Sequence, residues 1–219
     1  MARRTDSPVP PRDAAPDLPA RLEAVTGLAR HGDLLGARVA DVTGAVDAAH
    51  CRLTESVVEG MSADRLDLTG AVLTDVRLAE PRATEIVARD GRWRSVEIVG
   101  GRIGTLDLLR GELDGVVLRD VRIDYLSLPS ARIADLQVVG CVIGTMDLPE
   151  ADVTRVAFQD TRVDEVDTRG LRATDLDLRG LEALSYTEPA ALRGATMSAA
   201  QLLLHAGAFA RALGIRVLG

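Results

Sequence analysis

The chain has 219 residues, 47% of them apolar but only 2% aromatic, and a net charge of −7. So few rings exclude a core anchored by aromatic packing and favour a narrow one filled by aliphatic side chains. Its 26 basic residues, all arginine, are outnumbered by 33 acids, which excludes a broadly basic surface for direct nucleic-acid binding.

Residues 1–19 are rich in Pro, Asp and Arg and hold no apolar run of signal-peptide or membrane-span length. They read as a flexible N-terminal tail on a cytoplasmic protein. Residues 20–50 read as an N-terminal lead-in and an irregular first turn, keeping only fragments of the later pattern, such as Ala37-Arg38-Val39 and Val46-Asp47-Ala48.

From residue 51 to 183 a period of five takes over. Of the 26 residues spaced by five from Leu53 to Leu178, all but Thr168 are apolar. Such a period fits neither an α-helix nor a flat strand and points to a coil of repeats. The residue two before each of these centres is also mostly apolar: Leu66, Val76, Ile86, Val96 and Leu106 are examples. Inward residues two apart make a short strand, and the other two of each five turn a corner. Read every 20 residues, large and small side chains alternate, with columns such as Leu66, Ile86, Leu106 and Ala71, Gly91, Gly111. The expected fold is therefore all-β: a four-sided parallel β-helix with four strands and 20 residues per turn.

Residues 184–219 leave the period. Ser198-Ala199-Ala200-Gln201 has the spacing of a helix capping box and Gly214 can end a helix, so a C-terminal cap with a helix near 199–213 is predicted. Leu202, Ala206, Phe209 and Leu213 supply the face expected to close the tube. Leu203, Leu204 and Ala210 fall outside that face and are candidate dimer contacts. Cys51 and Cys141 are 90 residues, or four and a half turns, apart, so two buried free thiols are expected.

The repeats carry a resemblance. Ala71-Val72-Leu73-Thr74-Asp75, Ala151-Asp152-Val153-Thr154-Arg155 and Cys51-Arg52-Leu53-Thr54-Glu55 resemble the consensus of the pentapeptide-repeat family. The resemblance covers about two thirds of the chain. It implies a right-handed quadrilateral β-helix, departing only in the Leu and Val that often replace the family's small residue two before the centre. Some actinobacterial and enterobacterial members bind DNA gyrase as DNA mimics and alter quinolone sensitivity. Members with a similar terminal segment pair end to end, which implies a homodimer through the C-terminal end. The absence of Lys and Asn, whose codons are A-rich, fits a high-GC bacterial genome.

No residue spacing suggests catalysis, a cofactor or a metal. His31, His50 and His205 are far apart in sequence, and Trp93 reads as a core residue given space by Gly91 and Gly111. Charge is the remaining signal. Residues 51–183 carry 17 arginines against 25 acids, while 184–219 carry three against one. Asp67, Asp107, Asp147 and Asp167 share one outward column, interrupted by Val87 and Ser127, and form the candidate acidic partner-binding surface; the alternative is that they simply keep the rod soluble. Arg82, Arg102, Arg122 and Arg162 share another, with Arg122 and Arg162 flanked by acids that suggest surface ion pairs. The function expected is that of a non-enzymatic protein-interaction rod. The candidate partner is DNA gyrase or another protein with a basic groove; the alternative is a scaffold for some other protein.

Overall fold

The computed structural model describes residues 7–217. It is a parallel β-solenoid whose coils repeat every 20 residues: Leu73 pairs with Trp93, Trp93 with Leu113, and Leu113 with Ile133. One sheet has eight strands, one per coil, so about 34 Å separates its first and last strands at ~4.8 Å per step.

Four separate strands per coil were expected, but the ladders run as two sheets. Strands of one sheet, such as Val72–Ala79, carry two successive centres, Leu73 and Leu78, and bend between them at Asp75. Strands of the other, such as Arg82–Val87, are shorter. Three of the four corners use a left-handed residue: Asp75, Ser95, Gly115 and Asp135 at one, Glu80, Gly100 and Asp120 at the next, and Asp90, Arg110 and Ser130 at the third. Asp tolerates this conformation because its short side chain bonds locally, and this chain has no Asn to share the role. Part of the body's acidity therefore sits at corners where Asp serves the backbone conformation.

The periodic residues fill the core. All 26 centres are buried except Ala173, which packs partly buried against it. The exception in the sequence, Thr168, is fully buried and its hydroxyl donates to the Glu188 carbonyl at 2.8 Å, tying the last coils to the cap. Trp93 is 1% exposed, and among the described residues its indole Nε1 has no hydrogen-bond partner. Gly91 does lie beside it, since a Cβ there would sit 3.5 Å from Nε1, whereas the nearest atoms to one on Gly111 belong to Leu108. Only Gly91 makes room for the ring. Cys51 and Cys141 are buried and unpaired, and burial pushes the Cys51 thiol up to about 11.

The N-terminal coil is one residue short. Leu34 pairs with Leu53 and Thr43 with Ser62, each 19 residues on, and the register slips to 20 between Gly44 and Ala45. Buried Ser56 bridges the mismatch, its Oγ accepting from the Ala37 N–H and donating to the Thr54 carbonyl. A further strand, Glu23–Thr26, begins one more coil by pairing with Ala37–Ala40.

Two terminal segments differ from expectation. Residues 7–19, expected as a free tail, run along one corner of the solenoid, hydrogen-bonded to Asp175, Asp135 and Asp75; residues 1–6 of that tail lie outside the described residues. The helix Ala199–Ala212 forms with the anticipated capping box, but on a different face. His205 is buried against Tyr186 (ring centroids 5.0 Å, edge-on), and Gln201 Nε2 donates to the carbonyls of Leu178 and Leu181. Of the face read as inward, Phe209 packs partly buried against the core, but Ala206 is exposed and Leu202 and Leu213 are 54% and 74% exposed. The last coil leaves strand carbonyls that apolar side chains cannot satisfy, so the glutamine is drawn inward and the leucines turn out. Among the described residues, no helix is long and apolar enough to cross a membrane.

Candidate functional site

The acidic column exists as a register feature. Asp47, Asp67, Val87, Asp107, Ser127, Asp147 and Asp167 stack in successive coils. It is not the outward row that alternation suggests. Asp107 and Asp167 are buried, at 7% and 6% exposure, while Asp67 and Asp147 are half-buried. The cause is local. The Oδ1 atoms of Asp67, Asp107 and Asp167 accept the N–H of the residue two further on (Thr69 at 2.9 Å, Leu109 at 3.1 Å, Arg169 at 3.0 Å), which folds each carboxylate onto its own turn.

The two coils with proline at that position differ. Asp147 precedes Pro149, which has no N–H to offer, and its carboxylate instead accepts from the Tyr125 hydroxyl. That bond holds the Tyr125 phenol in its protonated form, up to about 12. Ser127 likewise stands two residues before a proline, Pro129, and carries a neutral hydroxyl in place of the column's carboxylate. The remaining charge is largely matched: Arg89 Nε binds Asp107 at 2.6 Å, and Arg169 binds Asp167 and holds its carboxyl below the ordinary range.

The arginine column is exposed, and two of its ion pairs run between coils. Arg102 reaches Asp124 at 3.0 Å and Arg162 reaches Glu182 at 3.0 Å. Arg122 contacts Asp124 at 3.6 Å but not its other sequence neighbour, Asp120. On the adjoining face Arg92 and Arg132 clasp Glu112 from either side, at 3.3 and 3.5 Å. Exposed pairs of this kind contribute about 0–1 kcal/mol each. Glu80, Asp120 and Asp160 stand exposed at one corner every second coil; sequence reading took Asp120 and Asp160 only as neighbours of Arg122 and Arg162 and passed over Glu80, because all three occupy turn positions.

The histidines are not all separate. His31 and His50 stack with ring centroids 5.3 Å apart at the N-terminal end, because each occupies a left-handed corner of adjacent coils. No group of three metal-capable side chains occurs among the described residues.

The cap presents the larger anomaly. Leu203 and Leu204 are 78% and 73% exposed, joined by Leu202, Leu213, Ile215 and Val217, and by Leu184 on the last strand. Ala210, the third candidate dimer contact, is half-buried. All of these exposed apolar side chains lie on the last strand or beyond it in the chain. Comparison of the chain with protein-family models gives no match, and neither does comparison with curated proteins.

Proposed function

We propose that this chain is a pentapeptide-repeat rod that acts by protein–protein contact, not catalysis, with two copies joined at their C-terminal ends. The observation that carries the reading is the cap: it turns Gln201 and His205 into the tube and leaves a cluster of leucines outside. A patch confined to one end favours a two-fold, end-to-end pair, which closes the assembly and doubles the rod. The two buried free thiols support a reducing compartment, the cytoplasm.

The most specific candidate partner is DNA gyrase, engaged as a DNA mimic that protects or inhibits it and so alters quinolone sensitivity. Rod shape and the exposed corner acids Glu80, Asp120 and Asp160 support this. Charge density argues for a weak mimic: duplex DNA of about 34 Å carries about 20 charges at one per ~1.7 Å. A supercoiling assay with gyrase, titrated with purified protein at several salt concentrations, tests it. Salt-sensitive inhibition or protection is expected; supercoiling unchanged at every concentration removes gyrase as the partner. The inward turn of Asp107 and Asp167 favours the second reading, a scaffold that meets a different protein through another face.

A further inference from the structure

Thirteen residues, 7–19, lie along the corner marked by Asp75, Ser95, Gly115, Asp135, Arg155 and Asp175, and five of them are proline. The Val9 N–H donates to Asp175 Oδ1 (3.1 Å), the Arg12 N–H to Asp135 Oδ1 (3.0 Å) and the Asp17 N–H to Asp75 Oδ1 (3.1 Å). Eight residues thus descend five coils, about 24 Å at ~4.8 Å per coil. That is about 3.0 Å per residue, close to the ~3.1 Å rise of polyproline II. From residue 8 to 14 the burial pattern has the same three-residue period, with Pro8, Pro11 and Ala14 half-buried and Val9, Pro10, Arg12 and Asp13 more exposed; beyond it Pro16 is buried and Asp17 exposed.

The corner is shaped for this segment. Gly115 is the one glycine in its column from Glu55 to Asp175, and it stands opposite Ala14; a Cβ on it would lie 2.5 Å from the Ala14 Cβ. Asp135 has a fully buried side chain that accepts from Arg155 at 2.6 and 2.8 Å and from Arg12, whose Nη2 also reaches Asp114 at 2.6 Å. With the segment docked, two guanidiniums face two carboxylates; without it, one faces two. The N–H groups of Val9, Arg12 and Asp17 meet carboxylates, and Gln137 Nε2 donates to the Arg12 carbonyl at 3.3 Å. Open grooves of about 710 Å³ beside Arg12 and about 210 Å³ beside Pro10 and Pro11 flank the segment.

We infer that this corner is a binding groove for an extended proline-rich segment carrying one arginine, and that residues 8–17 occupy it in cis. A partner protein presenting such a segment, its N terminus toward the C-terminal end of the rod, is the ligand the groove fits. The inference is independent of the gyrase reading.

The test uses the full-length chain and a fluorescent peptide of residues 7–19. Arg12→Glu in the protein sets its own aspartates against the segment, so Val9 and Asp17 amide exchange should accelerate by at least tenfold. The peptide should then bind this variant while the unmutated protein, its groove filled, gives no signal. Adding Asp114→Asn or Asp175→Asn, both at accessible carboxylates, should weaken peptide binding at least tenfold, as should Arg12→Ala in the peptide. Circular dichroism should report the same solenoid throughout. A released segment with no peptide binding overturns the inference, as does peptide binding that is equal in variant and unmutated protein, or amides that stay protected in Arg12→Glu.

Discussion

The coiled body and the C-terminal cap obey different rules, although both were read from apolar spacing. In the body, Leu53, Leu73, Leu113 and their successors are buried as the period of five demands. In the cap, Leu202 and Leu213 satisfy a helical period yet point outward, while His205 and Gln201 take the inner face. The body is a continuing ladder whose backbone groups pair with the coils above and below, so only apolar volume remains to be matched. The cap ends that ladder. Its helix must first satisfy the carbonyls of Leu178 and Leu181, and hydrogen bonding outweighs amphipathicity at that surface.

The contrast can be broken in three places. The largest effect belongs to the body: Leu106→Ala removes a fully buried side chain from the stacked core and should lower stability by about 2–5 kcal/mol in urea unfolding. A loss below 1 kcal/mol would mean that the coils collapse around the gap and that the core is less tightly packed than its burial implies. At the seam, Ser198→Ala removes the oxygen that accepts the Gln201 N–H at 3.2 Å and should cost about 1 kcal/mol. That loss should appear as faster amide exchange in residues 199–202, with the body's strands unchanged. The smallest effect on stability is expected from the double change Leu203→Glu and Leu204→Glu, within about 0.5 kcal/mol because both side chains are exposed. Light scattering should nonetheless show the mass fall from dimer to monomer. A monomer before mutation would leave the outward leucines to another partner.

The acidic body teaches a related lesson. Net charge on residues 51–183 suggested a surface built for a cationic partner, but many of its aspartates serve the backbone. Asp75, Asp90 and Asp120 hold left-handed corners, and Asp67, Asp107 and Asp167 accept the N–H of the residue two on. In the sequence, the difference between Asp147 and its column neighbours was visible in Pro149, which marks a turn without that N–H. The inter-coil pairs, such as Arg102 with Asp124, were hidden because their partners are 22 residues apart and exposed side chains choose among several neighbours.

The repeat period by itself determined the solenoid, its 20-residue register, the buried centres and the separation of the two cysteines. A parallel stack admits one register that buries every fifth residue, and a slip of one residue would expose the core. Tertiary structure alone decided which helix face closes the tube, which carboxylates turn inward, and that residues 7–19 lie along a corner. Each of these depends on groups far apart in sequence: Gln201 with Leu178, Arg12 with Asp135, Val9 with Asp175. Their hydrogen-bonding needs arise only once the coils are stacked, so no local pattern announces them.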